Sequence, residues 1–112
     1  MAMHVADVGK ALQKRSRGTG QTHVLDAGPW SHQLVRVAQG DAWQRDIDTS
    51  AGISLLVLEG MATVSCSSMR ETLGVGHLAV FESIASVNIV NDGDVTFLAL
   101  IGEHITEDME SL

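Results

Sequence analysis

Three carboxylates in the middle of the chain are the residues best suited to chemistry. Asp46 and Asp48 flank Ile47, and they could offer two oxygens to a hard cation such as Mg²⁺ or Ca²⁺. Two ligands without a further cage bind such an ion weakly. If Glu82 converged with them on one cleft, the group could serve as a general acid and base. We favour the simpler interpretation that the three acids are exposed, since unpaired Asp and Glu residues usually face solvent.

Histidine and cysteine supply no clearer pattern. None of the five histidines forms a close pair with the spacing of metal ligands, so we interpret each as a surface or turn residue. They are His4, His23, His32, His77 and His104. Cys66 lies in a run of alternating apolar and polar residues, facing away from Thr63 and Ser65. That position predicts a small core residue rather than a nucleophile.

The composition predicts one compact domain. The chain has 112 residues, of which 45% are hydrophobic, and this supports a modest core and argues against disorder. No apolar run approaches the roughly 18 residues of a membrane span, and the N-terminus lacks the apolar core of a signal peptide. A single cysteine excludes a disulfide framework, so we expect a cytoplasmic protein with no membrane contact.

The charge divides the chain into two parts. Residues 1–20 carry four basic residues and one acid, a net charge of +3, and they predict a short helix or tail. Residues 21–112 carry three arginines and thirteen acids, a net charge of −10, and they form the predicted single domain. An acidic body repels phosphate backbones, and its four aromatic residues offer no stacking platform. Nucleic acid is therefore not an expected partner.

From residue 33 onward, short β-rich runs alternate with turn signals. The predicted strands are 34–37, 53–59, 61–67, 70–73, 78–81, 87–90 and 95–101. Asn91, Asp92 and Gly93 give a strong hairpin signal, because these residues tolerate positive φ. Short strands at this spacing, with no long helical pattern between them, indicate an all-β sandwich or barrel. The acidic segment from residue 103 onward is expected to be a loosely held tail.

Two stretches of these strands have a recognisable spacing of residues. In the first, Gly40 is followed by five residues, Asp46, one residue, Asp48, four residues, Ile53, six residues and Gly60. In the second, Gly76 is followed by five residues, Glu82, one residue, Ile84, two residues, Val87, three residues and Asn91. These spacings resemble the paired motifs of the cupin superfamily, and the resemblance covers about residues 33–102. It implies a cupin-like double-stranded β-helix, which is a jelly-roll barrel.

The resemblance also implies where a cupin would hold its metal, and this chain lacks the ligands. The usual three histidines and glutamate are replaced by Asp46, Asp48, Ile53 and Val87. Since Ile53 and Val87 carry no donor atoms, we expect no transition metal and no cofactor. Cupin ligand positions face the barrel interior, and strand alternation extends that face. The candidate pocket residues are Trp43, Asp46, Asp48, Ile53, Leu55, Val57, Glu82, Val87 and Ile89.

The opposite side of the same strands is apolar as well. It carries Leu56 and Leu58 on one strand and Leu98 and Leu100 on the last. A strand that is apolar on both faces is buried on both, and so small a chain has little of its own to cover the second face. Cupins often dimerise by packing sheets in this way. We therefore predict a homodimer.

Three functions remain open. The first is a metal-free barrel that binds a small, partly apolar molecule, with acids at its rim. The second is a non-catalytic dimeric scaffold or regulatory module whose barrel is filled. The third is an isomerase resembling the cupin-like sugar epimerases, with Asp46, Asp48 or Glu82 moving protons. Those epimerases use a tyrosine, which this chain lacks, so we rank the enzyme last.

Overall fold

The computed structural model describes residues 2–13, 18–46, 51–81 and 86–105, and in them it contains one short helix and nine strands. The helix is α1 (Val8–Gln13). The strands are β1 (Gly20–Ala27), β2 (Trp30–Val37), β3 (Ala42–Asp46), β4 (Ala51–Glu59), β5 (Met61–Cys66), β6 (Met69–Gly74), β7 (Leu78–Phe81), β8 (Ser86–Val90) and β9 (Phe97–Ile105). In this described part, no helix is both long enough and apolar enough to cross a bilayer.

The strands form two antiparallel sheets. The first sheet has five strands in the order β1-β2-β9-β4-β7, and the second has four in the order β3-β8-β5-β6. Strands that follow one another in the chain often lie in different sheets: β4 pairs with β9 and β7, whereas β5 pairs with β8 and β6. Two sheets that exchange strands in this way enclose a core, as in a jelly roll. The prediction of an all-β jelly roll is confirmed.

The inner faces of the two sheets meet in one hydrophobic core. Alternate residues of β2, β4, β5, β8 and β9 face this core. The buried members are Val35, Val37, Ile53, Leu55, Val57, Ala62, Val64, Cys66, Val87, Ile89, Phe97, Ala99 and Ile101. Three partly buried residues pack against them, namely Trp43, Leu73 and Phe81. The predictions that Cys66 is a small core residue and that alternate residues of the motif strands point inward are confirmed.

The glycines of the two motif stretches lie where the chain turns sharply. Gly40, Gly60 and Gly76 all have positive φ, a conformation that other residues rarely adopt. At Gly60 an added β-carbon would lie 2.6 Å from the carbonyl oxygen of Thr96. That contact is with backbone rather than with a flexible side chain, so a larger residue there would force β4 and β9 apart.

Asn91 holds the turn that follows β8 and is fully buried. Its Nδ2 donates hydrogen bonds to the carbonyl oxygens of Val37 (2.9 Å) and Val95 (2.8 Å). Its Oδ1 accepts a hydrogen bond from the backbone N–H of Gly93 at 3.0 Å. The side chain therefore caps its own loop and also ties that loop to the end of β2.

The structure differs from the predicted strands at both ends of the barrel. Neither β1 nor β3 was predicted, because edge strands with mixed polar composition lack the continuous apolar signal of central strands. The prediction of a loose tail from residue 103 onward is wrong for residues 103–105, because β9 continues to Ile105. Glu103 is only 7% exposed, and it is paired with Arg45. A carboxylate usually indicates exposure, and this pairing explains the exception.

A row of leucines lies on the outer face of the five-stranded sheet. Leu100 on β9 is opposite Leu34 on β2 and opposite Leu56 on β4, and Leu98 lies on the same side. Leu34 is buried, and the other three are half-buried. We call Leu34, Leu56, Leu98 and Leu100 the outer leucine face. At the sheet edge, β7 continues it with two residues that are 65% and 64% exposed, Leu78 and Val80.

Candidate ligand-binding site

The apolar residues of the predicted pocket lie together in the core. Ile53, Leu55 and Val57 on β4 face Val87 and Ile89 on β8, and all five are buried. Trp43 packs against this cluster from β3. These side chains contact one another, so they form packed interior rather than the wall of an open cavity.

The carboxylates of the predicted pocket do not join that cluster. Asp46 is exposed at the end of β3, whereas Trp43 and Arg45 on the same strand are half-buried and point inward. Alternation along the strand therefore directs Asp46 away from the interior. Asp48 and Glu82 lie outside the described residues. Arg45 was not predicted as a site residue, and it occupies the inward position next to Asp46.

A polar link closes one side of the barrel. Arg45 on β3 forms an ion pair with Glu103 on β9, through Nη2 and Oε1. Its Nη1 also donates to Oε1 of Gln33 on β2, at 3.4 Å. Because β3 belongs to the four-stranded sheet and the other two strands to the five-stranded sheet, these bonds join the sheets. We call Gln33, Arg45 and Glu103 the closed seam.

The opposite side of the barrel is open. In the described residues β6 pairs with β5 and β7 pairs with β4, and no pairing joins β6 to β7. A cleft of about 250 Å³ lies between them. It is lined by Val64, Cys66, Met69, Arg70, Glu71, Leu73, Ala79, Val80 and Phe81. The lining is mostly apolar, which suits a molecule that prefers hydrocarbon to water.

The strand register puts Ile53 and Val87, which occupy two of the metal-ligand positions of a cupin, between the closed seam and the cleft. Ile53 is opposite Glu103 on one side and opposite Phe81 on the other. Val87 is opposite Arg45, and the other neighbour of its strand is β5, which carries Cys66. One layer of the barrel therefore runs from an ion pair, through two apolar side chains, to an open cleft.

The remaining polar groups lie away from this layer. His32 and His104 are on the outer face of the first sheet, where the rings of His104 and Trp30 lie 4.3 Å apart. His77 is exposed in a turn, and its Nδ1 accepts a hydrogen bond from the backbone N–H of Gly74 at 2.8 Å. Across the described ranges, no three His, Cys, Asp or Glu side chains lie close enough together to hold a metal ion.

Comparison with solved structures identifies the fold. The cupin domain of an XRE family transcriptional regulator from Enterobacter cloacae superposes with a TM-score of 0.74 at 12% identity, covering 81% of this chain and 100% of that one. A Klebsiella pneumoniae protein with a double-stranded β-helix domain gives 0.78 at 12% identity, covering 95% and 93%. The cupin domain of Cnp3 from Schizosaccharomyces pombe gives 0.77 at 10% identity, covering 89% and 75%. The chain has the cupin fold.

Sequence comparisons give no closer assignment for this cupin barrel. No family model matches the chain, and no curated protein matches it. Identities of 10–12% to the solved cupin structures establish the shared fold alone. The cupin resemblance of the two motif stretches is thus confirmed at the level of architecture, and the activity must be argued from the site.

The residues of this barrel do not fit a cupin metal. Ile53 and Val87 provide hydrocarbon where a cupin provides nitrogen and oxygen donors. Asp46 points out of the barrel. Arg45 is opposite Val87, and its guanidinium is paired with Glu103, so this carboxylate is not free to bind a cation. No chemical step through a metal follows from this arrangement.

Three features of the site were not predicted. The inward position of Arg45 depends on the register of β3, which motif spacing does not determine. The partner of Arg45, Glu103, was assigned to a tail because of the acids that follow it. The cleft depends on the lack of pairing between β6 and β7. Its clearest sequence signal is Leu78 to Phe81, a short apolar run that is apolar on both faces.

Proposed function

We propose that this protein binds a small, partly apolar molecule in the cleft between β6 and β7, without metal chemistry. The cleft is the single observation on which the proposal rests. Its volume of about 250 Å³ approaches the usual range for ligand pockets, and most of its lining is apolar. Packed core fills the region around Ile53 and Val87, so the ligand is held beside the former metal position rather than in it.

Filling the cleft tests this proposal. Ala79 is half-buried in the lining, so Ala79→Phe would occupy the space that a ligand needs. The matched control is Thr72→Phe, which puts the same ring on the exposed side of β6. A panel of small apolar alcohols is titrated into each protein, and binding is measured from backbone amide shifts. We expect binding by the wild type and by Thr72→Phe, and none by Ala79→Phe. Equal binding by all three would contradict the proposal.

A second candidate function is a dimeric scaffold, and the outer leucine face favours it. The half-buried Leu56, Leu98 and Leu100, with the buried Leu34, form an apolar surface on the outer side of the five-stranded sheet. A second copy of the chain, paired about a two-fold axis, would bury this surface against an identical one. The ligand-binding proposal and the dimer are compatible, because none of the four outer leucines lines the cleft.

The mass of the protein in solution tests the dimer. Leu100→Glu puts a charge at the centre of the outer leucine face, opposite Leu34 and Leu56. Thr63→Glu is the control, on the outer side of the other sheet. Sedimentation equilibrium should give twice the chain mass for the wild type and for the control, and the chain mass for Leu100→Glu. A monomeric wild type would rule out this candidate.

A proton-transfer enzyme has less support. It would need Asp46, Asp48 or Glu82 to converge on the cleft, and Asp46 is directed away from the interior. Glu71 is the single carboxylate among the lining residues, with no acid or base partner among them. A general acid/base mechanism needs at least one positioned group within reach of the substrate proton.

A further inference from the structure

We infer that the ligand of the cleft carries an anionic group, a carboxylate in the simplest case, at the end of its apolar body. This inference rests on the proposed function, because it concerns the chemistry of the same cleft. The group that recognises the anion is Arg70, which lines the cleft at its β6 edge. An Arg guanidinium binds a carboxylate through two parallel hydrogen bonds and is the preferred partner for one.

The distribution of positive charge singles out Arg70. The body of the protein, residues 21–112, has three cationic side chains, all arginines. Arg45 is used in the closed seam, and Arg36 donates to the carbonyl oxygen of Gly18 at 2.6 Å. Within the described residues, Arg70 makes no hydrogen bond or ion pair, and it is exposed. The one arginine that the fold leaves unused is therefore the one beside the apolar cleft.

The neighbouring charge of Glu71 limits how the ligand can lie. Glu71 faces the inner side of β6, opposite Val64, whereas Arg70 is opposite Ser65 on the outer side. A carboxylate bound at Arg70 is thus kept at the rim, away from Glu71, and the apolar body extends inward toward Leu73 and Phe81. The same geometry repels a carboxylate from the floor of the cleft. An anionic ligand can therefore enter in one orientation.

The volume of the cleft sets the size of the molecule. A dry cavity of about 150 Å³ accepts benzene, so this cleft has room for roughly ten non-hydrogen atoms. Octanoate fills that space with an apolar chain and one carboxylate. Octan-1-ol and octylamine have the same eight-carbon skeleton with a neutral and a cationic end, so the three probes compare head groups on one apolar body.

Titration of the three probes at pH 7, followed by amide shifts of β6 and β7, tests the inference. We expect octanoate to bind about tenfold more tightly than octan-1-ol, as for a hydrogen bond to a charged group. Octylamine should bind more weakly than the alcohol. The net charge of the protein is −7, so long-range attraction cannot produce a preference for the anion. The preference has to be local.

Substitutions at the rim of the cleft test whether Arg70 causes the preference for octanoate. Arg70→Gln should abolish the preference for octanoate over octan-1-ol, and Arg70→Lys should retain part of it. Glu71→Gln should strengthen octanoate binding about threefold by removing a repulsive charge. Lys10→Gln is the matched control: it changes the net charge as much as Arg70→Gln does. Its helix contacts β1, at the opposite edge of the five-stranded sheet from β7.

The outcomes separate this inference from the proposed function. Equal binding of octanoate and octan-1-ol in the cleft would overturn the anionic ligand and leave the apolar site standing. A carboxylate preference that survives Arg70→Gln would overturn the inference in the same way. If no probe shifts the amides of β6 and β7, both the anionic ligand and the proposed function are refuted.

Discussion

The two sides of the barrel differ in how the two sheets are joined. At the closed seam the edge strand β3 is joined to the inner strands β2 and β9 of the other sheet, whereas the cleft separates the edge strands β6 and β7. At the closed seam, an arginine and a glutamate cross the gap and are partly removed from water. At the cleft, the gap is left between β6 and β7, and the residues beside it are mostly apolar. An ion pair joins the two sheets on one side of the barrel, and mostly apolar residues line the gap between the sheets on the other side.

This difference separates the packed layer around Ile53 and Val87 from the cleft proposed as the binding site. The layer that holds Ile53 and Val87 is filled, and the closed seam puts its charges next to that layer. The proposed binding surface lies on the other side of the barrel, beside the edge strands β6 and β7. Regions that bind ligands are commonly drawn from the less stable parts of a fold.

Breaking the closed seam should have the largest effect on stability. Arg45→Met leaves Glu103 buried without a partner, which we expect to lower the free energy of unfolding by about 2–3 kcal/mol. The value is below that of a fully buried pair because the Arg45 side chain is 26% exposed. The double variant Arg45→Met with Glu103→Met should recover most of the loss, because no charge is then left unpaired. Urea denaturation of the wild type, Arg45→Met, Glu103→Met and the double variant measures the coupling.

The cleft supplies the matched control for that cycle. Arg70→Met and Glu71→Met make the same two exchanges on exposed side chains, and each should change the free energy of unfolding by less than about 0.5 kcal/mol. If the two pairs of substitutions have equal effects on the free energy of unfolding, then the distinction between the closed seam and the cleft is wrong.

Removing the Asn91 side chain should have the next largest effect. Asn91→Ala leaves the carbonyl oxygens of Val37 and Val95 and the N–H of Gly93 without their partner. We expect a loss of about 1–2 kcal/mol, because the loop around Gly93 can regain part of its hydrogen bonding from water. The half-buried Asn88 provides the control for deleting an asparagine from the same region. A loss no greater than that of Asn88→Ala would show that the turn closes without this side chain.

Much of the fold was predictable, and the reason is the alternation of side chains along central strands. The run from residue 53 to 59 and the run from 87 to 90 each identified their inward residues correctly. The edges of the sheets were not predictable in this way. The spacing after Gly40 gave the sequence position of Asp46 but not the register of β3, and a shift of one residue exchanges the two faces.

The candidate site was predicted less well than the fold, for a related reason. Polar residues in a strand are taken as exposed, so a charge that is buried because of a partner far along the chain cannot be recognised. Arg45 and Glu103 are such a pair. The cleft arises where two strands do not pair, and the apolar run from Leu78 to Phe81 indicates only one of those strands.

Acid should have the smallest effect on the free energy of unfolding, and it acts through Asp41, which directly precedes β3. Hydrogen bonds from the Thr19 hydroxyl and from the Ala42 backbone N–H lower the pKa of Asp41 below its ordinary value. A lowered folded-state pKa gives stability that is present above the unfolded pKa and is lost as the pH falls through the folded pKa. Asp41 is fully exposed, so the effect is small. In Thr19→Val, an NMR pH titration should find the Asp41 pKa closer to its ordinary value; an unchanged pKa would contradict this cause.

The most direct test of the account uses the single cysteine of the chain. Cys66 is buried in the core cluster and also lines the cleft, so we expect a small reagent to reach its thiol through the gap between β6 and β7. The rate of alkylation by iodoacetamide is measured with and without saturating octan-1-ol. An apolar ligand held in the cleft should slow the reaction about tenfold or more, since access follows the unoccupied fraction. An alkylation rate that stays the same at saturation would contradict the claim that the open side of this cupin barrel is its binding site.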